Sequence, residues 1–252
     1  MRLHKKLVIG QTEYKLVQET ITLDLNTPGR AMLVLQSEKP VQGLVQLSMG
    51  YGDPMPIVFV GYVEQCYPMN DQQQRVLARE LTAVLNQRVP LALRHCRARD
   101  ILQAISAQCP LQWALGDGDW QQAMLPVFHH TGGGYLALDN LGAGFNLPRY
   151  VWQQQMDGRV YVGSWDNMPW AGKTLTIPPR QLTKLTTANR ATLPIVPQIR
   201  PGAQIQIGTT ELVIITQVEI GGVNQPETSG VNMVITWQRD PWTRHLKRQA
   251  SA

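Results

Sequence analysis

Residues 56–63 read PIVFVGYV, and β-branched or aromatic residues fill six of these eight positions. Such side chains favour extended backbone, because they pack well on a pleated sheet. The turn-forming sequence GYGDP stands just before the run, at 50–54. A short apolar run that follows turn residues predicts a β-strand.

The chain on the N-terminal side of this strand shows the same pattern. Polar and apolar side chains alternate through residues 7–25, which predicts half-buried strands. We expect a turn at 27–29 (TPG), a strand at 31–35 and another strand within 41–49. Short strands separated by turn residues predict a small barrel or sandwich.

The C-terminal third repeats this pattern. Residues 204–208, 212–220 and 231–237 are rich in Ile and Val, and each segment predicts a strand. We expect a long polar loop at 221–230, between the last two strands.

The middle of the chain mixes helical and strand signals. Residues 99–108 predict a helix with an apolar face, and Asp100 can cap the start of that helix by accepting backbone N–H bonds. A short helix is expected at 135–141. A hairpin is predicted at 150–163, with its turn at Asp157-Gly158.

Together these patterns predict a mainly β fold with a small α/β middle, in which two β-barrel-like domains flank a mixed segment. We expect an N-terminal β-barrel-like domain at 1–93 and a central α/β segment at 94–175. A C-terminal β-barrel-like domain at 176–252 would end in a basic tail. A chain of 252 residues is long enough for two or three small units.

The charge of the chain is low and scattered. Charged residues make up 16% of the sequence, and the formal net charge is +5. Basic residues cluster at 244–248, where a solvated tail is favoured over a phosphate-binding one. Outside that cluster they do not concentrate in one stretch, as a nucleic-acid-binding segment would require. A weakly charged surface suits permanent packing against other subunits.

The three cysteines, Cys66, Cys96 and Cys109, are an odd number and form no CxxC pair. We expect reduced, buried thiols in a cytosolic protein. The apolar run at 7–10 is too short for a signal-peptide core, and no run approaches the roughly 20 apolar residues that span a membrane. We therefore expect no membrane insertion.

No group of residues predicts catalysis or a cofactor. His129 and His130 are adjacent on a predicted strand, so they should point to opposite faces and not chelate one metal. Asp117 and Asp119 lack the further oxygen ligands of a calcium loop. The glycines at 132–134 form no phosphate-binding motif and predict a flexible turn. We expect no catalytic, cofactor-binding or metal-binding residue and no enzymatic activity.

One arrangement permits a different function. Asp166 lies between Trp165 and Trp170, as in sites that stack sugars on indole rings, although tryptophans are also ordinary core residues. A carbohydrate-binding tail module is therefore the alternative function, and a cell-wall hydrolase is a third that has no visible acid–base pair.

Four short motifs occur in a fixed order along the chain: FVG at 59–61, DIL at 100–102, a tryptophan hairpin containing DGRVYV at 157–162, and RPGAQI at 200–205. In this order they resemble the phage tail baseplate hub proteins, the family of late control protein D-like and Mu-like tail hubs. The resemblance covers nearly the whole chain. A large insertion domain found in bigger hubs is not apparent.

This resemblance implies a structural protein of the virion, at the tail tip or baseplate, that is assembled in the host cytoplasm. It implies a homotrimeric ring that adapts a sixfold tail tube to a threefold central spike. The implied partners are other copies of the chain, the tail tube or distal tail protein, the central spike and the tape-measure protein. DNA would only pass through the channel.

Overall fold

The computed structural model describes residues 3–182, 184–208, 211–223 and 232–242, and these residues are mainly β-strand. The strands in the first half are β1 His4–Ile9, β2 Thr12–Tyr14, β3 Leu16–Asp24, β4 Thr27–Gln36, β5 Leu44–Gly50, β6 Ile57–Asn70, β7 Gln73–Glu80, β8 Leu91–Cys96, β9 Trp113–Leu115 and β10 Leu125–His130. Those in the second half are β11 Tyr150–Gln154, β12 Val160–Ser164, β13 Leu175–Ile177, β14 Lys184–Thr187, β15 Arg190–Pro194, β16 Gln204–Ile207, β17 Val213–Val223 and β18 Asn232–Gln238.

Two α-helices occur among the described residues. They are α1 Ala98–Ser106 and α2 Gly134–Gly144. Short 3₁₀ helices cover Leu81–Leu85, Asp119–Gln121, Trp165–Asn167 and Pro179–Gln181.

The chain packs as two compact units, and the first one is assembled from both ends of the sequence. Unit 1 comprises Met1–Glu80 and Gly172–Ala252, and unit 2 comprises Leu81–Ala171. In the described part of unit 1, thirteen strands form one sheet, ordered β14-β15-β18-β17-β3-β4-β7-β6-β5-β1-β2, with β16 also paired to β17 and β13 paired to β16. The sequence predicted three consecutive segments, 1–93, 94–175 and 176–252. The two units differ from that prediction because unit 1 combines residues from both ends of the chain.

The antiparallel pairing of β17 with β3 explains the difference. It places Ile220 opposite Ile21 and Val218 opposite Leu23, and all four side chains are buried in one continuous core. The two predicted barrel regions therefore share a sheet and a hydrophobic core. Strand pairing in the described residues follows an open path, so two closed barrels remain a prediction.

Unit 2 contains both α-helices and two small sheets. The antiparallel pair β8–β10 forms one sheet, and β11-β12-β9 forms the other, with β9 parallel to β12. Its own core is made by the apolar sides of α1, α2 and these strands. The predicted helices appear as α1 and α2, and the predicted hairpin appears as β11–β12, with Gly158 at φ 84° in the turn.

The predicted turn at 27–29 is wrong. The chain reverses two residues earlier, at Leu25-Asn26, and β4 already begins at Thr27. Asn26 adopts a φ of 55°, a left-handed conformation that asparagine tolerates better than most residues. The predicted loop at 221–230 begins later than expected, because β17 continues to Val223. The rest of that loop and the basic cluster at 244–248 lie outside the described residues.

Candidate assembly surface

The FVG motif contains a glycine that packs tightly against β7 in unit 1. Phe59 is fully buried in the core, and Gly61 pairs with Glu80 on β7. A Cβ atom on Gly61 would lie 2.0 Å from the carbonyl oxygen of Arg79, so only glycine fits there without moving a strand. The FVG motif therefore serves the packing of β6 against β7 and not the binding of a ligand.

The RPG motif holds the C-terminal segment of unit 1 against the N-terminal one. Arg200 is 2% exposed, and its Nη1 donates to the carbonyl oxygen of Val58 at 3.0 Å. Its Nη2 lies 3.3 Å from Oε1 of Glu80, at the end of β7. The second oxygen of that carboxylate accepts the backbone N–H of Gly29 at 2.7 Å. One buried ion pair thus connects β4, β6 and β7 to the segment that precedes β16.

Burial shifts both members of this pair. It raises the pKa of the Glu80 carboxyl, while the Arg200 guanidinium and the Gly29 N–H oppose that rise. Burial also lowers the pKa of the Arg200 guanidinium, and Glu80 opposes the change. Because the groups hydrogen-bond each other and the backbone, they have the features of a structural ion pair, not of an acid or base that faces a substrate.

The DIL motif and the tryptophan hairpin organise unit 2. The Asp100 carboxylate accepts the backbone N–H of Arg97 at 2.8 Å and so caps α1, as predicted. The indole of Trp152 stacks on the ring of Tyr135, with centroids 5.7 Å apart and an interplanar angle of 7°. The Tyr150 hydroxyl donates to the carbonyl oxygen of Leu138 at 2.7 Å, and burial raises the pKa of that phenol well above its usual value.

The paired histidines point in opposite directions, as predicted for neighbours on a strand. His129 is exposed and His130 is buried. Nε2 of His130 lies 3.0 Å from the carbonyl oxygen of Gly133, and Nδ1 lies 3.1 Å from Nδ2 of Asn140. A carbonyl can only accept, so Nε2 carries the proton and Nδ1 accepts from the amide. His130 fixes the glycine turn to α2 and presents no nitrogen to a metal.

The remaining candidate metal and redox residues do not come together. Asp117 lies on an exposed loop of unit 2, and the exposed Asp119 begins the 3₁₀ helix that follows this loop. Within the described residues, no three or more His, Cys, Asp or Glu side chains form a group that could hold a metal ion. All three cysteines are free; Cys96 and Cys109 are buried, and Cys66 is half-buried.

The tryptophan pair does not form a platform for a sugar. Trp165 is 4% exposed, and the guanidinium of Arg149 covers its ring at 4.9 Å from the centroid. Asp166 accepts from Nε of the same arginine at 3.1 Å. Trp170 is half-buried. Sugar stacking needs an open aromatic face, and Trp165 does not offer one.

One shallow cleft of about 420 Å³ opens on unit 1. It lies between the β5–β6 loop and the chain after β15, and its lining is apolar and rich in proline. The lining residues are Gly50, Tyr51, Gly52, Pro54, Pro56, Ile195, Val196, Pro197 and Gln198. The lining contains no carboxylate, imidazole or thiol, so it suits contact with an apolar side chain rather than catalysis.

The described strands leave several edges available for pairing with another chain. The thirteen-stranded sheet ends at β2 on one side and β14 on the other, and both small sheets of unit 2 also end in edge strands. Edge strands expose backbone N–H and C=O groups that another chain can pair with. Among the described residues no helix is long and apolar enough to cross a membrane.

No protein-family model matches the chain. A curated relative, an uncharacterised 58.7 kDa protein of Haemophilus phage HP1, is 32% identical over 206 residues. That alignment covers 81% of this chain but 38% of the phage protein, so the chain spans less than half of its relative's length.

Solved structures resemble the chain over almost its entire length. The 43 kDa tail protein of prophage MuSo2 from Shewanella oneidensis matches with a TM-score of 0.69 and 11% identity, over 94% of this chain and 98% of that one. A tail protein from Neisseria meningitidis MC58 matches with a TM-score of 0.68 and 11% identity, over 95% and 97%.

The similarity extends to secretion machinery. An Escherichia coli component of the type VI secretion system, described as structurally similar to tail proteins of bacteriophage T4, matches with a TM-score of 0.62 and 12% identity. The match covers 93% of this chain and 76% of that protein. The chain therefore has the fold of phage and prophage tail proteins and of their type VI secretion counterpart.

Proposed function

We propose that the chain is a structural subunit of a phage or prophage-derived tail, and that it forms the baseplate hub. Three copies close into a ring that adapts the sixfold tail tube to the threefold central spike. The observation that carries this proposal is the length of the shared fold, because each of two tail proteins is matched over nearly its whole chain as well as over nearly all of this one.

The physical character of the chain supports an assembly role. Charged residues make up only 16% of its sequence, and its described sheets end in edge strands that can pair across subunits. Large apolar side chains are also exposed in both units, including Leu44 at 63%, Val127 at 59% and Leu136 at 52%. Such side chains gain most when a permanent neighbour covers them.

The proposed partners follow from the same role. They are other copies of the chain, the tail tube or distal tail protein, the central spike and the tape-measure protein, with DNA passing only through the channel. We place the protein at the tail tip of the virion, after assembly in the host cytoplasm. No catalytic role is proposed.

Mass measurement of the purified chain tests the ring. Mass photometry should show a species of about 85 kDa, three times the chain mass of 28.3 kDa. Labelled antibodies should mark the tail tip of particles that contain the protein. A monomer at every concentration, together with label elsewhere than on tails, would contradict the proposal.

A second measurement tests the two alternative functions, a carbohydrate-binding module and a cell-wall hydrolase. Purified protein should neither bind a glycan array nor release fragments from peptidoglycan. Glycan binding that is lost in Trp165→Ala would support a carbohydrate-binding module, and turnover of peptidoglycan would identify an enzyme.

A further inference from the structure

The outer side of β4 and β7 in unit 1 carries a group of basic and apolar residues, which we call the arginine face. Its members are Arg30, Met32 and Val34 of β4 and Arg75, Leu77 and Arg79 of β7. The residues between them on each strand point the other way and belong to the core, as do Leu33 and Val76.

The strand register brings these residues together. Arg30 lies opposite Arg79, Met32 lies opposite Leu77, and Arg75 lies opposite Val34. Side chains at directly opposite positions on antiparallel strands are neighbours on one face of the sheet. The face therefore has an apolar centre with arginines at both ends.

The arginine face combines exposed arginines with partly or fully buried apolar side chains, as a contact surface does. Arg30 and Arg75 are exposed, Arg79, Leu77 and Met32 are half-buried, and Val34 is 3% exposed. Tyr67 on β6 lies opposite Arg75 and is 47% exposed, so it extends the face with an aromatic ring. Arginine, tyrosine and methionine are the residue types that protein interfaces favour around an apolar centre.

The charges of this face are unbalanced. Arg30 and Arg79 are directly opposite, an arrangement that is unfavourable for like charges. No described carboxylate lies within 4.0 Å of the guanidinium groups of Arg30, Arg75 or Arg79. The Nε of Arg79 is buried and has no hydrogen-bond partner in the described residues. Within the described residues, these three guanidinium groups therefore have no carboxylate that would neutralise their charge at close range.

A matching acidic loop exists in unit 2. Asp117 and Asp119 are exposed, and neither has a basic partner within 4.0 Å among the described residues. Gly118, between them, has a φ of 144°. Elsewhere in the described chain, no two exposed and unpaired carboxylates lie so close in sequence. Two neighbouring carboxylates suit a surface that presents several guanidinium groups.

We propose that the loop bearing Asp117 and Asp119 of one copy docks on the arginine face of the next copy in the ring. This inference rests on the proposed ring and names its charged contact. The loop and the face are different patches of the same chain, so the contact is head-to-tail, and repetition of such a contact closes a ring when the rotation permits.

Charge reversal on each side tests the contact. One variant carries Arg30→Glu and Arg75→Glu, a second carries Asp117→Arg and Asp119→Arg, and a third combines all four changes. Each of the first two variants should raise the apparent dissociation constant of the oligomer by about tenfold or more. The combined variant should return close to the wild-type value, because the reversed charges attract again.

The matched control is Arg94→Glu with Arg99→Glu. It changes the net charge as the first variant does, at two exposed positions of unit 2 that lie outside the arginine face. Circular dichroism verifies the fold of every variant, and mass photometry over a dilution series gives the dissociation constants. The control should assemble as the wild type does.

Several other results would contradict the proposed contact. Wild-type trimers that neither reversal weakens would overturn the contact and leave the ring standing. Weakening by the arginine variant alone, or by the control as well, would also overturn it. Loss of DNA binding in the arginine variant without a change in oligomerisation would assign the face to nucleic acid instead. A wild type that never oligomerises would remove the ring together with the contact.

Discussion

The contacts that stabilise the interior of unit 1 differ in kind from those that stabilise the interior of unit 2. Unit 1 joins segments that are far apart in sequence, as in the side-chain bond from Gln217 to Asp24 at 2.7 Å, which spans 193 residues. Unit 2 is one continuous segment, Leu81–Ala171. Long-range pairing requires closure of a large loop before any contact forms, so unit 1 carries the larger entropic cost.

The two units also differ in how they bury polar groups. Among its described residues, unit 1 buries two ion pairs, Arg200–Glu80 and Lys5–Glu19. Unit 2 instead contains a buried Tyr161 and a half-buried Tyr150, whose hydroxyl groups donate to the backbone oxygens of Ser164 and Leu138. The Arg200–Glu80 pair therefore joins segments of unit 1 that are 120 residues apart, whereas these two tyrosine hydrogen bonds of unit 2 join residues 12 and 3 positions apart.

Removal of Arg200 should destabilise unit 1 more than any other substitution proposed for the two units. Arg200→Ala leaves the Glu80 carboxylate buried without its cation, and loss of one member of a buried pair costs about 3–5 kcal/mol. We expect the free energy of unfolding of unit 1 to fall by that amount. Urea unfolding measured by circular dichroism should show the change.

The control for this prediction is Arg190→Ala. Arg190 pairs with Glu219 at 2.9 Å, but both side chains are more than one-third exposed. An exposed pair contributes about 1 kcal/mol or less. Equal losses in the two variants would show that the buried pair has no special role in joining the segments of unit 1.

The close approach of β6 and β7 provides a second, smaller test within unit 1. Gly61→Ala puts a methyl group 2.0 Å from the carbonyl oxygen of Arg79, and overpacking of this kind costs about 1–3 kcal/mol. Gly52→Ala is the control, since a Cβ there meets nothing within 4 Å, and we expect a change within about 0.5 kcal/mol. Equal thermal midpoints for the two variants would contradict the packing role of the FVG motif.

Local structure was predictable from the sequence because its causes are local. The helix α1 follows from an apolar face and the cap at Asp100, and the β11–β12 hairpin follows from the Asp157-Gly158 turn. The motif order also indicated the fold that the solved tail proteins share. For the helix and the hairpin, the signal lies in residues close together along the chain.

The union of the two β regions was not predictable in the same way. Pairing of β17 with β3 depends on which strand edges meet, and alternation does not specify a strand's partner. Arg200 belongs to the RPGAQI motif, but the sequence around it does not indicate that its partner is Glu80, which is 120 residues away. The arginine face was missed because its residues gather only through the register of β4 with β7.

The smallest expected effect is in unit 2 and depends on pH. Tyr161 is 3% exposed, and its hydroxyl donates to the carbonyl oxygen of Ser164 at 2.7 Å. Burial, with a contribution from Asp117, raises the pKa of the phenol from 10.0 to about 12. The native state therefore keeps a proton that the unfolded chain loses as the pH rises above 10. The stability that wild type gains from this phenol is complete below that pH and decreases as the pH approaches 12.

The variant Tyr161→Phe lacks this titration, so comparison with wild type isolates it. Between neutral pH and about pH 11, the advantage of wild type over the variant in free energy of unfolding should shrink by about 1.4 kcal/mol. Tyr67→Phe, which removes an exposed phenol from unit 1, is the control, and urea unfolding at the two pH values gives the differences. A constant advantage across this range would mean that the Tyr161 hydroxyl is less shielded from water than the structure indicates. The contrast between a unit joined by buried charges and a unit packed around buried phenols would then lose its support in unit 2.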